Sequence, residues 1–142
     1  MKKIINIGLL AGLLILAASM VWGMLSNMIW PQLAKDYQNP QIFRPWSDPA
    51  MSIFFVHPFI VGVILAWIWS KTDQLFNNPI RWKRGVIFGF TYWVVTIPGM
   101  IISYSTFQVS LIMILSWTMN GLIQAVVAGY VFSKLLYPAK NV

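Results

Sequence analysis

Four polar side chains could do chemistry in a chain that otherwise offers little: His57, Asn120, Gln124 and Ser116. His57 is the single histidine of the 142 residues, and it precedes Pro58. Proline lacks an N–H, so a helix through this point leaves the Phe54 carbonyl without its usual partner. A neutral imidazole both donates and accepts a hydrogen bond, which suits a ligand contact. Ser116, Asn120 and Gln124 recur every fourth residue, and Ala128 continues the series. On a helix these make one polar-to-small stripe, with Gly121, Ala125 and Gly129 forming a small stripe beside it. Fourteen residues separate His57 from Lys71, and fourteen separate Asn120 from Lys134. At helical rise both polar groups then lie ~21 Å from those lysines.

In an apolar setting, side-chain amides must face protein or water. Two roles follow: hydrogen bonds between helices, or the lining of a ligand cavity or solute path. Catalysis is less expected. A lipid-modifying enzyme would draw on His57, Tyr92, Ser103, Tyr104 and Ser105, whose spacing forms no dyad or triad. The chain has no cysteine and three acidic residues, all aspartates. Disulfides, iron–sulfur clusters and thiol nucleophiles are excluded. A lone histidine builds no zinc or bis-histidine haem site, and no phosphate-binding or dinucleotide fingerprint is present. We expect no metal, no cofactor and no nucleic-acid partner.

The elements that position these residues are membrane spans. Hydrophobic residues make up 58% of the chain and charged ones 9%, too few to cover a soluble domain. Residues 4–34, 49–70 and 85–133 carry no charge, stretches of 31, 22 and 49 positions. A crossing takes ~20 apolar residues, so the first two gaps hold one helix each and the third holds two. The expected fold is all-α: a single transmembrane domain, 1–142, of four helices near 4–29, 49–71, 79–103 and 108–135. They form two antiparallel hairpins, with an extracytoplasmic loop at 31–48 and a cytoplasmic loop at 72–84. Ser47-Asp48-Pro49 and Asn77-Asn78-Pro79 supply caps followed by proline. The last turn is placed at Ser103–Gln108, the polar cluster of the third gap. Pro98-Gly99 marks an expected kink.

Lys2, Lys3, Lys71, Arg81, Lys83, Arg84, Lys134 and Lys140, with Asp73, fall on one side and carry the whole net charge of +7. Lys35, Arg44, Asp36 and Asp48 cancel on the other. Lys/Arg bias sets orientation, so both termini are expected in the cytoplasm, in a cell (inner) membrane. Trp67, Trp69, Trp82, Tyr130 and Tyr137 fall near that interface, and Trp22, Trp30 and Trp46 near the other. Arg81, Lys83 and Arg84 are expected on anionic headgroups of the bilayer, each worth ~1 kcal/mol. A signal-peptide reading, with cleavage near Ala17-Ala18-Ser19, competes poorly because the apolar run continues to Trp30.

Small residues also line the other helices. Gly8, Gly12, Ser19, Gly23 and Ser26 share one face of the first helix, and Gly85, Gly89, Tyr92, Thr96, Gly99 and Ser103 one face of the third. Such stripes allow close backbone approach in lipid, so Gly8, Gly12, Gly23, Gly85, Gly89, Gly121 and Gly129 are expected at helix contacts. Those contacts lie within the chain, or in a homo-oligomer or with a partner membrane subunit. Residues 54–71 superpose on 117–134 without gaps, pairing His57 with Asn120 and Gly62 with Ala125, with four identities in 18 positions. Gly8 and Gly12 likewise set over Gly85 and Gly89, as in a parallel internal repeat. The loop Pro31–Asp48, with three prolines, is read as a short interfacial segment or docking surface, with Tyr37, Arg44, Trp46 and Asp48 as its candidates. Arg44–Asp48 or Lys35–Asp36 would pair at its rim. The function best matching these residues is a binding or permeation module for a small polar or amphipathic solute. The alternative is an accessory or structural subunit acting through helix–helix contacts.

Overall fold

The computed structural model describes residues 1–76 and 78–136, so Asn77, Tyr137 and Lys140 lie outside the described residues. The described residues form five α-helices: α1 (Lys2–Ile29), α2 (Gln32–Asp36), α3 (Ile53–Thr72), α4 (Arg81–Thr106) and α5 (Leu111–Leu135). Short 3₁₀ turns, Pro49–Ser52 and Asp73–Leu75, flank α3. α1, α3 with its two turns, α4 and α5 are each long and apolar enough to cross a membrane. They are the four helices expected from the charge gaps.

Their ends follow local chemistry. Asp48 accepts a 2.8 Å hydrogen bond from the Ala50 N–H at the head of the 3₁₀ turn that leads into α3. That N–H, together with the Arg44 guanidinium at 2.8 Å, holds the Asp48 carboxyl below its ordinary range. Asp36 does not pair with Lys35; it accepts a hydrogen bond from the Ser110 hydroxyl at 3.0 Å. Ser110 caps α5 by accepting from the Met113 N–H. Asn78 accepts from the Ile80 N–H, so it closes the turn before α4 and the helix opens two residues later than the cap pattern implied. The turn at Ser103–Gln108 is displaced as well. α4 runs to Thr106, with the hydroxyls of Ser103 and Ser105 bonded back to the carbonyls of Gly99 and Ile102. Hydroxyls that satisfy their own helix need no turn.

Packing is set by backbone contact at small residues. α1 and α3 run antiparallel: a Cβ at Gly8 would lie 2.6 Å from Val63 Cα, and one at Gly12 2.6 Å from Phe59 Cα. Gly62 faces both glycines from α3. α4 and α5 cross in the same sense, Gly85 on Gly129 and Gly89 on Ala125 and Val126. The sequence superposition equates Val63 with Val126 and Gly8 with Gly85. Val63 nevertheless meets Gly8, whereas Val126 meets Gly89. The two pairs are one helical turn out of step, so the superposition does not carry over to the packing register.

One core lies toward the end bearing Lys2, Lys71 and Lys134, here the basic end. Ile15 of α1, Leu65 and Trp69 of α3, Phe88 of α4 and Phe132 of α5 meet there. Phe76 stacks on Trp69 at 6.2 Å, and Phe88 meets its ring edge-on at 5.1 Å. Arg84 ties down the connection between α3 and α4. Its Nε donates to the Phe76 carbonyl and its Nη2 to the Asp73 carbonyl, both at 2.7 Å. Arg84→Ala should cost about 3 kcal/mol or more, since it removes two hydrogen bonds made by a charged group, each worth ~1.5–3 kcal/mol. Thermal unfolding and proteolysis within 72–80 would read this, and Arg84→Lys should recover only part, lacking the two-pronged reach.

A second core closes the opposite, loop end. Leu33 of α2 packs with Val109, Met113 and Ile114, joined by Phe43, Met100 and Trp117. Trp117 Nε1 donates to the Tyr37 hydroxyl at 2.7 Å. Burial raises the Tyr37 phenol above its ordinary pKa, with the Trp117 bond pulling the other way. α3 stays out of this core: Phe54, Phe55, Val56 and Ile60 are exposed, and Trp46 packs edge-on against Phe54 at 5.7 Å. The bundle is therefore closed at the basic end and splayed between α3 and α5 at the loop end.

Candidate functional site

The splay leaves a cleft of about 190 Å³ between α1, α3 and α5. α1 contributes Leu16, Ser19, Met20 and Gly23, α3 contributes Phe54, His57 and Pro58, and α5 contributes Asn120 and Gln124. Three of the residues singled out by type and spacing, His57, Asn120 and Gln124, thus come together from two helices. Pro58 is buried, whereas His57 is exposed and sits with Met20 and Phe54 at the rim.

The polar groups differ in how far they are satisfied. Gln124 Nε2 donates to Ser19 Oγ at 3.0 Å and so joins α5 to α1. Ser116, the fourth candidate, is buried away from the cleft. Its carbonyl and hydroxyl oxygens both lie within reach of Trp22 Nε1, at 3.0 and 3.3 Å. It joins α1 to α5 and does not line the cleft. Asn120 is the exception. Among the described residues two buried side-chain polar atoms lack a hydrogen-bond partner, Asn120 Oδ1 and Trp69 Nε1. Trp69 lies in the aromatic core at the basic end; Asn120 lines the cleft. A buried acceptor without a donor costs ~1–3 kcal/mol.

A second cavity, about 170 Å³ at the loop end, is lined by Asp36, Asn39, Gln108 and Ser110 among others. Three of its polar side chains are engaged: Ser110 bonds Asp36, and Asn39 Oδ1 accepts from the Gln41 N–H at 3.0 Å. That contrast selects the cleft as the candidate site. No group of three metal-ligating side chains occurs among the described residues.

The small residues divide into two kinds. Gly8, Gly12, Gly85, Gly89 and Gly129 stand at backbone contacts inside the chain. A Cβ at Gly23 would meet nothing within 4 Å, and one at Gly121 only Trp93 Cδ1 at 3.7 Å. Gly23 instead borders the cleft. Gly62, closest of all to α1, was not singled out as a contact glycine, because it lacks a second glycine at helical spacing on its own helix. Of the headgroup candidates, Lys83 lies over the Trp82 ring at 5.7 Å and Arg84 is turned to the α3–α4 connection. Tyr92, Ser103, Tyr104 and Ser105 do not line the cleft with His57. Compared with known family models, with curated proteins and with solved structures, the chain matches none.

Proposed function

We propose that this chain is an integral membrane protein that binds a small polar or amphipathic solute in the cleft between α1, α3 and α5. The observation that carries this reading is a cleft of about 190 Å³ that collects His57, Asn120 and Gln124 from α3 and α5, with Asn120 Oδ1 left unpaired by the protein. A bundle in which these residues served only to hold helices together would pair the amide, as Gln124 pairs with Ser19. The test is thiol reactivity of single cysteines at His57, Asn120 and Gln124. Reaction at these depths supports a wet cleft, and silence at all three removes the reading.

The basic end is proposed to face the cytoplasm, resting on anionic headgroups through Arg81 and Lys83 in particular. An impermeant thiol reagent added to intact cells should then modify Gln38→Cys, in the exposed loop, and spare Gln74→Cys beyond α3. The reverse pattern would invert the topology.

A further inference from the structure

We infer that the cavity at the loop end is a second site, a seat for a small primary organic ammonium ion held by the Asp36 carboxylate. It is separate from the cleft and stands whether or not the cleft binds a solute.

Charge selects the class. The loop end carries Lys35, Asp36, Arg44 and Asp48, and Arg44 pairs with Asp48 at 2.8 Å. Asp36 has no cationic partner among the described residues. Its Oδ2 accepts from the Ser110 hydroxyl at 3.0 Å, and its Oδ1 accepts from none of them. A carboxylate offers about four acceptor positions, so a charge-assisted bond is left to form. An anion finds no match, because no lysine, arginine or histidine lines the cavity. Asp36 is only partly buried, so a cation reaches it from the water side without full loss of its hydration.

The neutral lining narrows the cation. Asn39 Oδ1 accepts from the Gln41 N–H, and the Ser110 hydroxyl oxygen accepts from the Met113 N–H at 3.3 Å. The exposed Gln108 amide has no partner among the described residues and is free to turn its oxygen toward a donor. A primary ammonium then donates to Asp36 and Gln108 and keeps its third N–H for water at the mouth. Calcium takes ~6–8 oxygen ligands, far more than one carboxylate and its neighbours supply. Ile42, Val109 and Met113 complete the wall and give an alkyl body an apolar surface. A cavity of about 150 Å³ holds benzene, so one of about 170 Å³ takes a butyl chain with its ammonium.

The test sets butylammonium against butyltrimethylammonium, which keeps the charge but has no N–H, and against 1-butanol, which carries no charge. Binding to the full chain in phosphatidylcholine nanodiscs is measured by equilibrium dialysis, with uptake by empty nanodiscs subtracted. Butylammonium should bind saturably at one site per chain. Both other probes should bind about tenfold more weakly or worse, the loss expected for a hydrogen bond between charged groups. Asp36→Asn keeps an acceptor for Ser110 but removes the charge, and should weaken butylammonium by a similar factor. Should that variant fail to accumulate, the order of the three probes in the unaltered chain decides. Absence of saturable binding overturns the proposal, as does equal affinity for the trimethylated probe. Undiminished binding in Asp36→Asn places the amine elsewhere and also overturns it. Calcium or sodium that displaces butylammonium at equal concentration would make the cavity an inorganic cation site, which overturns the organic class.

Discussion

Gly129→Leu should prevent α4 and α5 from closing on each other, and the chain should lose its folded state well below the temperature at which the unaltered protein unfolds. Gly129 meets the Gly85 backbone, and a Cβ there would fall on the Gly85 carbonyl oxygen. Overpacking against movable side chains typically costs 1–3 kcal/mol. Here the obstacle is backbone on a neighbouring helix, so the helices must separate, and a loss of about 3 kcal/mol or more is expected. Gly62→Leu should do the same to α1 and α3, since Gly62 faces the backbone of Gly8 and Gly12. Gly99 gives the control: a Cβ would meet nothing within 4 Å, and Gly99→Ala should gain about 0.5–1 kcal/mol through reduced backbone freedom. Thermal unfolding in detergent, followed by helical circular dichroism and by solution mass, separates these outcomes. If Gly129→Leu melts with the unaltered chain, α4 and α5 do not pack as described. The contact also changes the meaning of the α4 glycines. Gly85 and Gly89 are covered by α5 of the same chain, so bulky substitutions there should unfold the protein rather than release a partner.

Much of this fold was legible because lipid imposes strong rules on a sequence. Charge gaps located four spans, and the Asp48-Pro49 cap marked where the second begins. The errors have one origin: sequence spacing gives a residue's face but not what that face meets. Ser103 and Ser105 resemble a polar turn, yet their hydroxyls bond to the preceding helical turn and α4 continues. Gly23 shares the stripe of Gly8 and Gly12, but α3 splays away at that level and leaves Gly23 beside an open cleft. Gly62 escaped for the opposite reason, an isolated glycine whose partners lie on another helix. Ser116 shares the stripe of Asn120 and Gln124, and only the approach of Trp22 from α1 shows that it is already engaged. The candidate site was readable as residue types at matching depth. That α3 and α5 leave room between them depends on which helices share the core, and no single-helix pattern records this.

Single cysteines at His57, Asn120 and Gln124 should react with a thiol reagent at rates within about a hundredfold of Gln38→Cys in the exposed loop, whereas Leu13→Cys and Val95→Cys should be nearly inert. The native chain has no cysteine, so each variant carries one reactive group. Only thiolate reacts, and a free thiol has a pKa near ~8.5. Full burial in an apolar medium shifts such a group by up to ~3–5 units, which lowers the thiolate fraction ~1000-fold or more. Leu13 and Val95 are exposed on the bundle, at 53% and 73%, but within spans that would place them in lipid. They separate exposure to hydrocarbon from exposure to water, which burial alone does not. The cleft of about 190 Å³ has room for several waters, each needing ~10–15 Å³ of such volume. Purified protein in nanodiscs, open to reagent from both faces, keeps the result independent of orientation. A cleft that reacts while Val95→Cys stays silent supports a hydrated binding site inside the membrane-spanning region. Silence at His57, Asn120 and Gln124, with Gln38→Cys modified, would mean a dry bundle in which these residues bond helix to helix at ~0.6–2 kcal/mol each. Function would then be sought in contacts with another membrane subunit.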